Sequence, residues 1–140
     1  MRNRRVYKIL SLLEEEETKE FQAYLVSPLF GESNVLLRFF QLWQERILQA
    51  KDEMEPEAFL AGSGFQVARL DKLCSQLHRK CVDFLALKAY QDSPSMTYRS
   101  RFQAFDKRGA PEDEYRRQYE RYEKELKQQK DSGNRRLEEL

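Results

Sequence analysis

Few residues in this 140-residue chain could do covalent or metal chemistry, and their spacing argues against it. Two cysteines, Cys74 and Cys81, and the single histidine, His78, fall on one face of a helical pattern. Thiolates and an imidazole in a row suggest a zinc site. Seven residues of helix, however, span about 10.5 Å of rise, so both sulfurs cannot reach one ion. The same separation forbids a disulfide, which needs Cα atoms within about 7 Å. The chain offers no further Cys or His as a ligand. The pattern predicts two reduced thiols in the core and His78 at its rim. Asp71 stands seven residues before His78, too far to orient it. No nucleophile motif and no phosphate-binding glycine loop is present. The expectation is a protein that is not an enzyme, with no cofactor, no metal and no small-molecule substrate.

Nucleic-acid binding is the second chemistry to weigh. Residues 55–90 read as a short helix, a glycine-containing turn and a longer helix, the outline of a helix-turn-helix. The second helix would present Gln66, Arg69, Lys72, Gln76 and Arg79 to bases and phosphates. Asp71 and Asp83 share that surface, and the net charge of +1 pulls the chain toward no polyanion. A DNA-binding module is therefore the alternative reading. The basic start, Arg2, Arg4, Arg5 and Lys8, lies at a helix N-terminus where the dipole disfavours cations; those side chains are expected to be frayed and solvated.

The third candidate is a stripe. Tyr115, Tyr119, Tyr122 and Leu126 follow the i, i+4, i+7, i+11 spacing of one helical face in an otherwise charged or amide-bearing segment. Tyrosine combines a large contact area with a polar tip. The stripe could pack on Phe102 and Phe105 of the preceding helix, or meet a protein partner, including a second copy. The opposite side carries Glu112 with Arg116, Asp113 with Arg117, Glu120 with Lys124 and Glu123 with Lys127. All are i, i+4 pairs with the acid first, the favourable order. This is expected to be a solvated, self-paired face rather than a phosphate grip.

The elements that must position these residues are helices throughout. Hydrophobic residues make up 40% and charged residues 35%, with only 5 Gly and 4 Pro, so long helices with few turns are expected. A first helix covers about 3–13 with Val6, Ile9, Leu10 and Leu13. A second starts in Glu14–Glu17, buries Phe21, Tyr24 and Leu25, and stops before Pro28. Phe30 is expected to plug back into the core from the connector 29–32. Ser33 or Asn34 caps a third helix carrying Leu36, Phe39, Phe40, Trp43 and Ile47. Pro56 opens a short helix with Phe59 and Leu60. Ser63-Gly64-Phe65-Gln66 fits a capping box for a fifth helix with Val67, Leu70, Cys74, Leu77, Cys81 and Phe84 inward. After Pro94 aliphatic residues nearly vanish. A sixth helix presents Tyr98, Phe102 and Phe105. The last runs from 112 to about 130, before a turn at 131–134 and the start of another helix at 135–140.

The predicted fold class is all-α: an apolar-cored helical bundle of about five helices over 1–92, then a charged C-terminal helical hairpin over 93–140. No apolar run reaches the roughly 20 residues of a membrane span. The start has no signal-peptide architecture, because Lys8 interrupts its apolar part and Glu14–Glu17 follow at once. A cytoplasmic location is expected.

The run Glu14-Glu15-Glu16-Glu17, then Phe21 and Leu25, then Ser27-Pro28-Leu29-Phe30, resembles the opening of an uncharacterised family of bacterial all-helical proteins. The segment Leu73 to Leu85, ending in Phe84-Leu85, and the charged helix Tyr115 to Lys130 are similar to it as well. The resemblance implies an all-helical scaffold, here a short or truncated member, and carries no activity or site. The resulting expectation is a non-enzymatic protein–protein interaction or scaffold module.

Overall fold

A computed structural model describes residues 1–30, 33–48 and 53–138, with side chains through residue 130. The described residues are all-helical and include no strand. The α-helices are α1 (Arg5–Leu10), α2 (Glu15–Val26), α3 (Asn34–Trp43), α4 (Pro56–Leu60), α5 (Leu70–Asp92), α6 (Pro94–Arg108) and α7 (Glu112–Glu138). A π-helical turn, Gln44–Leu48, extends α3, and a 3₁₀ turn, Val67–Arg69, leads into α5. No described helix is long and apolar enough to cross a membrane. Packing divides the chain into two compact units, Met1–Leu85 and Ala86–Leu140. The division falls inside α5, before the helix end at Asp92.

Local chemistry sets the ends in the first unit. Glu17 reaches back to accept from the Glu14 backbone N–H at 3.0 Å, starting α2. Ser33 accepts from the Leu36 N–H at 3.1 Å and starts α3. Arg46, from the π-turn, donates to the carbonyls of Phe59 and Ala61 at 2.7 Å each. It thereby satisfies acceptors that the end of α4 leaves open. The core is aromatic. Phe21, Phe39, Phe40, Trp43 and Phe59 are fully enclosed, with Leu10, Leu25, Ile47, Leu70, Leu77 and Cys81 around them. Trp43 lies 4.9 Å from Phe59 and Phe21 stands edge-on to Phe40 at 5.0 Å, close to the geometry aromatic pairs prefer.

Several expectations need correction. The first helix is shorter than 3–13, although Leu13 still leans on the core. Phe30 is 44% exposed and stacks on Tyr24 instead of entering the core. Arg4 is not simply solvated: it holds Asp71 at 2.6 Å. The capping box at Ser63–Gln66 does not form. Ser63 accepts from the Phe65 N–H and donates to the Leu60 carbonyl, closing the turn instead. The α-helix then begins only at Leu70, so Val67 sits in the 3₁₀ turn and is 47% exposed. The turn at 131–134 is absent: α7 passes through it to Glu138. Residues 31, 32, 139 and 140, at the ends of the expected connector and last helix, lie outside the described residues.

Candidate functional site

The stripe on α7 belongs to the second unit, and three signals place it. Ser93 and Pro94 start α6, with the Ser93 hydroxyl facing the Met96 N–H. The Thr97 hydroxyl donates to the Tyr90 carbonyl at 2.8 Å, fixing the junction with the end of α5. Gly109, at φ 62°, ends α6 in the left-handed conformation, and the Ala110 N–H returns to the Phe105 carbonyl at 3.1 Å. Pro111 then precedes the acidic first turn of α7, Glu112, Asp113 and Glu114, where carboxylates suit the helix dipole.

The two helices run antiparallel from this turn, so residues equally far from Ala110 meet. Tyr98 lies 5.1 Å from Tyr122 and its hydroxyl donates to Glu125 at 2.8 Å. Arg101 donates to Gln118 at 3.0 Å and covers the Tyr98 ring at 4.5 Å. Tyr115 stacks on Phe102 at 6.1 Å, meets Phe105 edge-on at 5.3 Å, and donates to Asp106 at 2.6 Å. The Tyr115 hydroxyl is held above the usual phenol range by that bond to Asp106, with desolvation adding to it. Burial raises Tyr98 in the same direction, and the Glu125 carboxylate reinforces it.

The four stripe residues therefore do not share one environment. Tyr115, Tyr122 and Leu126 are half-buried. Tyr119, between them, is 56% exposed. It borders a concavity of about 420 Å³ lined by Phe102, Glu112, Tyr115, Arg116, Tyr119 and Glu120. The expected intrahelical ion pairs Glu112–Arg116, Asp113–Arg117, Glu120–Lys124 and Glu123–Lys127 all stand open among the described residues. That corrects the self-paired reading of this face. Exposed pairs gain little over hydration and lose side-chain entropy on closing.

The other candidates lie in the first unit. Cys74 and Cys81 are buried. Burial pushes the Cys74 thiol up to about 11, against the pull of Arg4, and Cys81 up to about 12, with Glu17 adding to it. Cys74, Asp71 and His78 line one cavity of about 400 Å³ with Arg4, Arg5, Val6 and Ser75. Among the described residues no three His, Cys, Asp or Glu side chains converge as a metal site would require. On the possible DNA-reading surface, Gln66, Arg69, Lys72 and Arg79 are exposed and Gln76 is half-buried, with Asp71 and Asp83 exposed among them.

Sequence reasoning missed the roles of Glu125 and Gln118 as acceptors for α6 and of Asp106 as the acceptor for Tyr115 of α7. Their only signal is equal distance from the turn, which becomes legible once Gly109–Pro111 is taken as the centre of an antiparallel pair. Comparison of the chain with models of protein families, with curated proteins and with solved structures finds no match.

Proposed function

We propose that this chain is a non-enzymatic helical module for protein–protein interaction or scaffolding, a bundle followed by a charged helical hairpin, acting in the cytoplasm. The similarity to the bacterial all-helical family accords with that reading. The observation that carries it is the exposure of Tyr119. Its neighbours on the stripe contribute to packing, whereas Tyr119 keeps a large ring beside an open concavity. An exposed tyrosine at such a place offers a partner apolar area at low conformational cost, plus a hydroxyl that tolerates water in the free state. DNA binding is less well supported, because carboxylates interrupt the cations of α5.

A photo-activatable phenylalanine analogue placed at position 119 tests this in living cells, with position 82 as control, because Val82 is also exposed, at 42%. The expected result is a discrete covalent adduct with a protein from position 119 and none from position 82. No adduct from 119 would overturn the reading.

A further inference from the structure

We infer that the outward face of α7 pairs antiparallel with the same face of a second copy of the chain, about a two-fold axis between Arg116 and Glu120. This names the partner of the interaction face and rests on that reading of it.

Glu112, Arg116, Glu120 and Lys124 succeed one another at four-residue steps, forming one i±4 ridge of the helix. All four are exposed, and none closes on its neighbour in the ridge. Their signs alternate: negative, positive, negative, positive. Read in the opposite direction, the ridge is positive, negative, positive, negative. A second copy laid antiparallel therefore meets opposite charge at each step: Arg116 faces Glu120 of the second copy, and Glu112 faces Lys124. A parallel, in-register copy would set like against like. Self-complementarity on reversal is what a two-fold contact between identical chains requires.

Packing geometry agrees with that order. Ridges of this kind cross at about −50°, so the two central Arg116–Glu120 pairs form the crossing and the outer pairs close through long side chains. Tyr119 stands one residue from the axis, about 1.5 Å along the helix. The two Tyr119 rings would then meet beside the axis, each over the concavity floored by Phe102 and Tyr115 of the other copy. Aromatic contact supplies area at the centre and the charged ridge supplies register and direction.

Sedimentation equilibrium of the full chain tests the pairing. The wild type is expected to show a reversible monomer–dimer equilibrium that weakens with added salt. Arg116→Glu turns both central pairs repulsive and is expected to weaken the dimer roughly tenfold or more. The double variant Arg116→Glu/Glu120→Arg again sets opposite charges against each other in every antiparallel pair and is expected to recover most of that loss. Recovery by the second substitution excludes misfolding as the cause of the first loss. A wild type that stays monomeric at its highest soluble concentration, or a double variant no better than the single one, would overturn the proposal. A monomer whose position 119 still captures another protein would overturn self-pairing alone and leave the interaction reading standing. No adduct of any kind from position 119 would overturn both.

Discussion

Cys74 and Cys81 show how burial decides what a reactive residue type can do. Both thiols are raised by desolvation, to about 11 and about 12. A two-unit rise cuts the thiolate fraction near neutral pH about a hundredfold. At pH 8 a thiol reagent should therefore label the native chain at least about a hundredfold more slowly than the unfolded chain. Labelling of both cysteines should rise together through the unfolding transition. Because the folded values lie above the ordinary one, the associated stability is fully present below about pH 8.5. It is lost as pH rises through 11 and 12. Rapid labelling of either thiol in the folded chain would contradict this placement. The burial of both was legible from the inward run Leu70, Cys74, Leu77, Cys81 and Phe84. Val67 broke the run because it precedes the first α-helical turn, and in a 3₁₀ turn its side chain does not project with that face.

Helix ends were legible where one residue type dictates the backbone. Ser33 starts α3, Pro56 opens α4, and Gly109 ends α6. Gly109 permits a sharp test. A Cβ built there meets no atom within 4 Å, so Gly109→Ala carries only the left-handed backbone penalty at φ +62°. That penalty is about 1–2 kcal/mol, to be read as a fall in unfolding free energy in denaturant titration. An unchanged stability would show that α6 does not need this turn. Two features were not legible. The π-turn after Trp43 inserts a single residue, which hardly disturbs an apolar pattern that already runs from Leu36 to Ile47. Asp131-Ser132-Gly133-Asn134 has the composition of a turn, yet α7 continues. One internal glycine costs a helix about 1 kcal/mol, and the Lys, Gln, Arg and Glu residues on either side favour helix.

At the scale of the whole molecule, apolar side chains are concentrated in the first unit and aromatic pairing organises the second. The first encloses Phe21, Phe39, Phe40, Phe59, Phe84 and Trp43 among aliphatic residues. The second relies on rings and their hydroxyls: Tyr98 with Tyr122 and Glu125, and Tyr115 with Phe102, Phe105 and Asp106. The stripe was legible as one face from its spacing alone. Its division into packed and exposed residues was not, because that depends on how α6 lies against α7. On the proposed reading, Tyr119 is held at the surface for contact, while Tyr122 serves the fold. The most direct test is the unfolding free energy of Tyr119→Ala beside that of Tyr122→Ala, in denaturant at neutral pH. A change within about 0.5 kcal/mol is expected for Tyr119→Ala and a loss of about 1–3 kcal/mol for Tyr122→Ala. Equal losses at the two positions would contradict it, because Tyr119 would then be one more packing residue of the pair.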